Sequence, residues 1–134
     1  MENVVRKVRR ETVWLAGYAG EITARCSPKS PNSSDALTCT SSIKNVVVTW
    51  DVTTDDTYWK TVPRSGLILR DAVVEAFYNE HSGAKTVRCN DIPEAVLVPL
   101  GKETDYACQA EFEGEPPSAP QRVTSTERGP RLSD

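Results

Sequence analysis

The chain has 134 residues, a length that suits one domain with a single hydrophobic core. Apolar residues make up 38% of it and charged residues 26%, as in ordinary globular proteins. Its net charge of −3 argues against a general attraction to nucleic acid or to anionic membranes. No apolar run approaches the roughly 20 residues needed to cross a bilayer. Nine prolines beside seven glycines favour strands and turns over helices.

The N-terminal part is predicted to be the least regular. Residues 1–11 are too charged for the apolar core of a secretory signal and are expected to form a frayed, solvated end. This end holds a short basic cluster, interpreted as a charged terminus in preference to a processing site or a nuclear signal: Arg6, Lys7, Arg9 and Arg10. Residues 12–26 are rich in β-formers, with Trp14, Tyr18 and Ile22 on one parity, which predicts one or two strands. Residues 27–35 have the composition of a linker or exposed turn.

Regular strand signals begin at residue 36. A short strand is predicted at 36–40, and 43–52 carries the strongest alternation, with Val46, Val48 and Trp50 on one face. Residues 53–70 are irregular. The segment 71–80 is predicted as a strand that turns at 81–83 and pairs with 84–89 in a hairpin. The stretch 67–77 could also form a helix, but its alternation favours a strand.

The remaining strands are predicted at 95–100, 105–113 and 121–127, followed by a polar tail at 128–134. In 105–113, alternate residues face inward. No internal repeat is evident. Many short strands with little helical periodicity predict an all-β fold, namely a two-sheet antiparallel β-sandwich with an extra N-terminal β segment.

The four cysteines are expected to form two disulfides. Cys26, Cys39, Cys89 and Cys108 lack the spacing of a metal or redox site, and an even count in a small β domain is typical of an oxidising compartment. Four reduced thiols remain the alternative. Three connectivities are open. Alternation turns Cys39 and Cys108 inward, so a bridge across the core is one hypothesis, while Cys26 and Cys89 could tie the N-terminal segment to the sandwich.

Several segments together resemble the fibronectin type III family. They are the pattern Leu97-x-x-Leu100-x-x-x-Thr104-x-Tyr106, the strand Val46–Trp50 and the closing strand Val123–Glu127. The resemblance covers about residues 33–127 and implies a Greek-key sandwich with a structural core that includes Trp50, Leu97, Leu100 and Tyr106. It leaves 1–32 as an added strand or hairpin with a linker, or as the remnant of a preceding module, and 128–134 as a tail.

The family pattern is not met everywhere. Lys102 stands where the family usually has proline, and the loop after Trp50 is longer than usual. The order Cys39, Trp50, Cys108 is similar to that of an immunoglobulin domain, which is the rival assignment. Either family has the same sandwich fold class.

Catalysis is not indicated. His81 is the single histidine and is interpreted as a solvated turn residue. No phosphate-binding loop, nucleophile elbow or metal-spaced cluster is present in the sequence, so no cofactor and no metal are predicted. The pair Asp55-Asp56 could contact calcium, but a solvated acidic loop is the preferred interpretation.

The loop after the second strand carries the candidate binding residues, because aromatic and charged side chains on loops often recognise partners. They are Asp55, Asp56, Tyr58, Trp59, Lys60 and Arg64. The predicted function is a non-catalytic extracellular or cell-surface module, a piece of a longer secreted or membrane-anchored receptor or adhesion protein. It would bind a protein partner through this loop or a sheet edge. It is not expected to bind nucleic acid or insert into a membrane, and it could contact neighbouring modules.

The alternative is a structural spacer in a modular enzyme or an intracellular scaffold, with reduced cysteines. Oxidised cysteines and an exposed Trp59 would favour the binding module. Free thiols and a buried Trp59 would favour the spacer.

Overall fold

A computed structural model describes residues 2–18, 20–31, 35–54 and 58–133. Strands occupy about half of the chain and helices about a fifth, so the predicted antiparallel β architecture is confirmed in outline. The described elements, in chain order, are α1 (Glu2–Ala16), β1 (Thr23–Pro28), β2 (Ala36–Ile43), β3 (Val46–Thr54), β4 (Trp59–Pro63), β5 (Gly66–Leu69), α2 (Arg70–Glu80), β6 (Thr86–Cys89), β7 (Ala95–Val98), β8 (Glu103–Glu111), β9 (Gln121–Thr126) and β10 (Gly129–Ser133). No described helix is long and apolar enough to span a bilayer.

A helix followed by a four-stranded antiparallel sheet occurs twice. In the first half, α1 precedes a sheet with the strand order β1-β2-β3-β4. In the second half, α2 precedes a sheet with the order β6-β8-β9-β10. Between β6 and β8 the chain forms β7, which pairs with β5 in a separate two-stranded sheet. The specific Greek-key connection is not confirmed.

Helix α1 corrects two predictions, the frayed end at 1–11 and the strands beginning at residue 12. Its buried side chains Val4, Val8, Thr12 and Leu15 follow a helical repeat and pack over the first sheet. Of the three residues whose parity suggested a strand, only Trp14 lies in α1, whereas Tyr18 and Ile22 follow the end of the helix. The helical repeat begins at Val4, inside the charged segment that was predicted to be solvated, so it was divided between two separate predictions.

The predicted strand at 71–80 is also helical. Helix α2 buries Val73 and Phe77, four residues apart, and the apolar residues before it form β5. Consequently β6 does not pair with 71–80 in a hairpin but with β8. The predicted polar tail contains β10, whose backbone pairs with β9 across the turn Glu127-Arg128. The side chains of this strand show little hydrophobic pattern, and backbone pairing largely defines it. The sequence therefore did not predict it.

The β2–β3 connection divides what the sequence suggested was a strand from residue 43 to residue 52. Lys44 and Asn45 have φ angles of 55° and 91°, the left-handed values of a two-residue hairpin turn. The strand after this turn retains the predicted alternation, with Val48 and Trp50 buried.

Both predicted disulfides are present, but their pairing corrects the core-crossing hypothesis. Cys26 is bonded to Cys39 and Cys89 to Cys108. Each bridge joins directly opposed residues of an edge strand and its neighbour, β1 to β2 and β6 to β8. No cysteine is free. The inward orientation of Cys39 and Cys108 did not predict their pairing, because each of them faces a different helix.

Each disulfide lies at a non-hydrogen-bonded pair of its ladder. In the first sheet Lys29 N donates to Ala36 O at 3.1 Å, so these two residues form a hydrogen-bonded pair. The two kinds of pair alternate along the strands, which makes Cys26, three positions from Lys29, part of a non-hydrogen-bonded pair. In the second sheet Asn90 N donates to Ala107 O at 3.0 Å, one position beyond the cystine. Facing side chains approach each other most closely at the non-hydrogen-bonded pairs, so the cystines occupy the sites where cross-strand bridging is easiest.

Two hydrophobic clusters meet at β5. The first contains α1 and the inner face of the first sheet, and the second contains α2 and the inner face of the second sheet. Leu67 and Leu69 belong to the first cluster, whereas Ile68 between them belongs to the second. Ser125 Oγ on β9 lies 2.9 Å from Leu67 N and 3.1 Å from Leu67 O, which ties β5 to the second sheet.

A buried polar chain connects α1 to the first sheet. Trp50 Nε1 lies 2.9 Å from Ser41 Oγ, Ser41 Oγ lies 2.8 Å from Thr12 Oγ1, and Thr12 Oγ1 lies 2.7 Å from Val8 O. Each hydroxyl has one proton. All three contacts are satisfied when Trp50 donates to Ser41, Ser41 to Thr12, and Thr12 to the carbonyl oxygen of Val8.

The disulfide pairing can be tested by mass spectrometry of a non-reduced proteolytic digest, which is expected to contain the 26–39 and 89–108 linked peptides. Replacing Cys26 and Cys39 together by serine should lower the free energy of unfolding by about 3 kcal/mol, because the bridge closes a loop with a sequence separation of 13. Urea denaturation measures the loss. A linked peptide containing Cys39 and Cys108 would show that the pairing is wrong.

The buried polar chain can be tested with Ser41→Ala. This change leaves the buried Trp50 indole N–H without an acceptor and removes the donor to Thr12 Oγ1, which keeps its bond to Val8 O. We therefore expect the free energy of unfolding to fall by about 1–3 kcal/mol. Ser42→Ala is the matched control, since Ser42 is the next residue of β2 and lies on the other face of the sheet. Equal losses in the two variants would contradict a specific role for Ser41.

Candidate binding surface beside helix α1

The predicted binding loop is described only in part. Asp55 and Asp56 lie outside the described residues. Tyr58 is 58% exposed, the highest value among the large apolar side chains of the described residues. Trp59 is half-buried and packs against the first hydrophobic cluster. The cysteines thus meet the condition set for a binding module, whereas Trp59 does not, and Tyr58 is the exposed aromatic residue at this place.

Helix α1 holds the start of β4 in position through Lys7. The Lys7 ammonium lies 5.9 Å from the centroid of the Tyr58 ring and donates a hydrogen bond to the backbone carbonyl of Trp59. Thr54 Oγ1 also donates to Tyr58 O at 3.2 Å. Lys7 was not predicted beside this loop, because the charged composition of residues 1–11 indicated a solvated end.

Lys60 and Arg64 do not share a face of the sheet with Trp59. Residues 60, 62 and 64 have the opposite parity to Trp59, so their side chains lie on the outer face of the first sheet. There Arg64 donates two hydrogen bonds to the Asp51 carboxylate, each 2.9 Å long, and Lys29 Nζ lies 3.0 Å from the same group. The Arg64 guanidinium and then the Lys29 ammonium hold the pKa of the Asp51 carboxyl well below its usual range.

A groove runs beside the C-terminal half of α1. A shallow recess of about 280 Å³ is lined by Glu11, Trp14, Glu127 and Arg128. Glu11 and Glu127 also line a second cavity, of about 20 Å³, which reaches the indole of Trp50. The smaller cavity has room for about one water molecule, so an extended ligand group would occupy the outer recess.

Close backbone packing brings the two halves together at this groove. A Cβ atom on Gly129 would lie 3.4 Å from Gly17 Cα, and Gly129 has a φ of 107°, a value that favours glycine. The turn Glu127-Arg128 is thereby set against the end of α1. Arg128 lies with its guanidinium carbon 5.8 Å from the Trp14 ring centroid. The recess therefore combines two carboxylates, one guanidinium and an exposed indole.

The open edge of β4 is poorly suited to adding another strand. Arg64 N donates to Thr49 O at 2.9 Å, so the backbone groups of the even-numbered residues near β4 bond to β3. The backbone N–H and C=O groups of the odd-numbered residues of β4 therefore point away from the sheet, toward its open edge. Among these, Pro63 has no N–H, and the carbonyl of Trp59 already accepts a bond from Lys7. A proline and a lysine at an edge both oppose edge-to-edge pairing. The groove is the better candidate for recognition.

The predicted core residues have different positions. Trp50 is buried, Leu100 and Tyr106 are half-buried, and Leu97 is 41% exposed, contrary to the prediction. Leu97 lies on β7 between Val96 and Val98, which pack against the second hydrophobic cluster, and its side chain has the opposite parity. A side chain that sequence pattern assigns to a sandwich interior is therefore at the surface.

His81 is not a solvated turn residue as predicted. It follows the last turn of α2, is half-buried, and its ring stacks on Phe77 with centroids 5.4 Å apart. His81 Nε2 lies 2.8 Å from Gln121 Oε1. The imidazole thus links α2 to β9, and its contacts are those of a packed structural residue.

Within the described ranges, no group of three or more potential ligand side chains could hold a metal ion. The chain matches no protein-family model, no curated protein and no solved structure. The fibronectin type III resemblance and the immunoglobulin alternative therefore stay predictions.

The Asp51 ion pairs predict a pH dependence of stability. Folding lowers the pKa of this carboxyl, so the stabilisation is present above its unfolded value of about 3.9 and is lost as the pH falls toward the folded-state pKa. The Asp51 side chain is 35% exposed. We therefore expect Asp51→Asn to cost less than about 1 kcal/mol at pH 7, with a smaller cost at pH 2.5 and in high salt.

Urea denaturation of both proteins at pH 7, 4 and 2.5 measures this difference. Asp105→Asn, which changes an exposed aspartate of β8, is the control for a general charge effect. A cost that stays constant or grows as the pH falls would contradict the assignment.

Proposed function

We propose that the chain is a non-catalytic binding module of an extracellular or cell-surface protein, and that it recognises a protein partner through the groove beside α1. The observation that carries the proposal is the composition of this groove. Glu11 and Glu127 come from different halves of the molecule and line one recess with Trp14. Two carboxylates in one recess suit a lysine or arginine side chain, which could pair with them. Arg128 already lies over the Trp14 ring, so the partner's cation would contact the carboxylates.

The groove has the features of an interaction hot spot on a rigid support. Tryptophan and arginine are the residue types that most often dominate binding energy, and Trp14 and Arg128 both lie here. The helix beneath them is held by the first hydrophobic cluster and by the buried Ser41 chain. A partner would therefore meet a surface that needs little reordering, which lowers the entropic cost of binding.

The two disulfides indicate an oxidising environment, which supports an extracellular location for the proposed function. Trp59 is half-buried, so it meets neither the exposed state expected of the binding module nor the buried state expected of the spacer. The spacer would have no use for a recess formed by side chains of both halves, so ligand binding there separates the two functions.

The proposal can be tested by selecting a random peptide library on the immobilised, oxidised protein, with the Glu11→Gln, Glu127→Gln double variant for counter-selection. We expect enriched peptides to carry lysine or arginine and to bind the double variant at least about tenfold more weakly, the effect of losing one charge-assisted hydrogen bond. Fluorescence titration measures the affinities. The matched control is Glu113→Gln with Glu115→Gln, which removes two exposed carboxylates elsewhere.

Thermal unfolding of each variant checks that it is folded. Peptides that bind the wild type and the double variant equally, or a library that yields no enrichment over the counter-selection, would overturn the proposal and favour the spacer.

A further inference from the structure

The outer face of α1 carries an uncompensated positive charge. Arg6, Arg9 and Arg10 are all exposed and lie within about one helical turn of each other. Trp14 follows Arg10 by four residues and continues the same line along the helix, with 52% of its surface exposed. We call these four side chains the arginine face.

The arginine face differs from the other basic residues of the fold in placing three cations within about one turn of a single helix. Ion pairs with carboxylates involve Lys29, Lys44, Arg64, Arg88 and Arg122. By contrast, none of the three arginines of α1 has an ion-pair partner within residues 2–18, 20–31, 35–54 and 58–133. The whole chain has a net charge of −3. Three positive charges that are unpaired among the described residues therefore lie close together on α1, in a molecule that is negative overall.

We propose that the arginine face docks on the surface of an anionic lipid bilayer. The opposite side of α1 is buried in the first hydrophobic cluster, so the helix lies flat on the fold and presents its charged side along a length of about 22 Å. Guanidinium groups pair with lipid phosphates in a bidentate geometry. Repulsion between the membrane and the negative remainder of the molecule would turn α1 toward the bilayer.

The exposed indole favours a bilayer over a soluble polyanion. Tryptophan is enriched at membrane–water interfaces, where its ring contacts the headgroup region and its N–H remains hydrated. Trp14 is in line with the arginines, and Tyr58 is exposed on the flank of the same helix beside Lys7. Because the apolar side of α1 packs in the core, docking places the helix on the bilayer and does not insert it.

Sedimentation with vesicles tests this docking on the full, oxidised chain. One set of vesicles contains phosphatidylcholine alone, and the other contains 30% phosphatidylglycerol. We expect binding only to the anionic vesicles, with a partition coefficient that falls steeply between about 0.1 and 0.5 M NaCl. The triple variant Arg6→Gln, Arg9→Gln, Arg10→Gln should lower the partition coefficient about 100-fold, since each arginine near the surface contributes roughly a factor of five.

The matched control is Arg88→Gln, Arg122→Gln, Arg131→Gln, which changes the net charge equally but at exposed residues of the second sheet. It should retain at least a tenth of the wild-type partition coefficient. Trp14 fluorescence, read as the difference between wild type and Trp14→Phe, should shift to shorter wavelength on the anionic vesicles. Thermal unfolding of each variant checks that it is folded.

Three outcomes would overturn the proposal. They are equal binding to both kinds of vesicle, equal losses in the two triple variants, and binding to soluble polyphosphate with none to vesicles. The last result would assign the face to a soluble polyanion. The Glu11→Gln, Glu127→Gln variant should keep its vesicle binding, so membrane docking and peptide recognition can fail independently.

Discussion

The fold depends on β5, a strand of four buried residues between two hydrophobic clusters. Its alternation assigns Leu67 and Leu69 to one cluster and Ile68 to the other, so both halves lose packing if this strand moves. Ser125 fixes its position through the backbone of Leu67. A Cβ atom on Gly66 would lie 2.5 Å from Ser125 Oγ, so the close approach of β5 and β9 requires glycine there. Each half has its own helix and sheet, and β5 joins their interiors.

The repeated order of helix, edge strand and disulfide has a common physical basis. A four-stranded sheet in this molecule has one face under a helix and ends at an edge strand with few residues to bury. A cystine between that strand and its neighbour compensates for the small buried area by restricting the unfolded chain. The two halves use the same solution at Cys26–Cys39 and Cys89–Cys108. The bonded cysteines are separated by 13 residues in the first half and by 19 in the second. A sequence search for a repeat of constant length would therefore not find this similarity.

Helix α1 connects stability with both proposed interactions. Its inner side is anchored by hydrophobic packing and by the chain from Thr12 through Ser41 to Trp50. Its flank contributes Glu11 and Trp14 to the groove, and its outer side carries the unpaired arginines. Anchoring one side of a helix leaves the other sides as rigid surfaces. A bilayer at the outer side and a peptide at the flank would therefore contact different residues of one fixed element, with Trp14 at their boundary.

The sequence by itself determined the strand-rich composition, the burial of Trp50, the two disulfides and the oxidising environment that they indicate, because alternation and cysteine count are local or compositional signals. Tertiary structure decided the rest. Helix α2 was missed because the spacing of four residues between Val73 and Phe77 fits a helix as well as a strand. Helix α1 was missed because the charged composition of its first ten residues suggested a solvated end. Cysteine pairing depended on strand register, and β10 on backbone pairing. The groove needed Glu11 and Glu127 in one place, although 116 positions separate them, and only packing of the two halves at Gly17 and Gly129 brings them together.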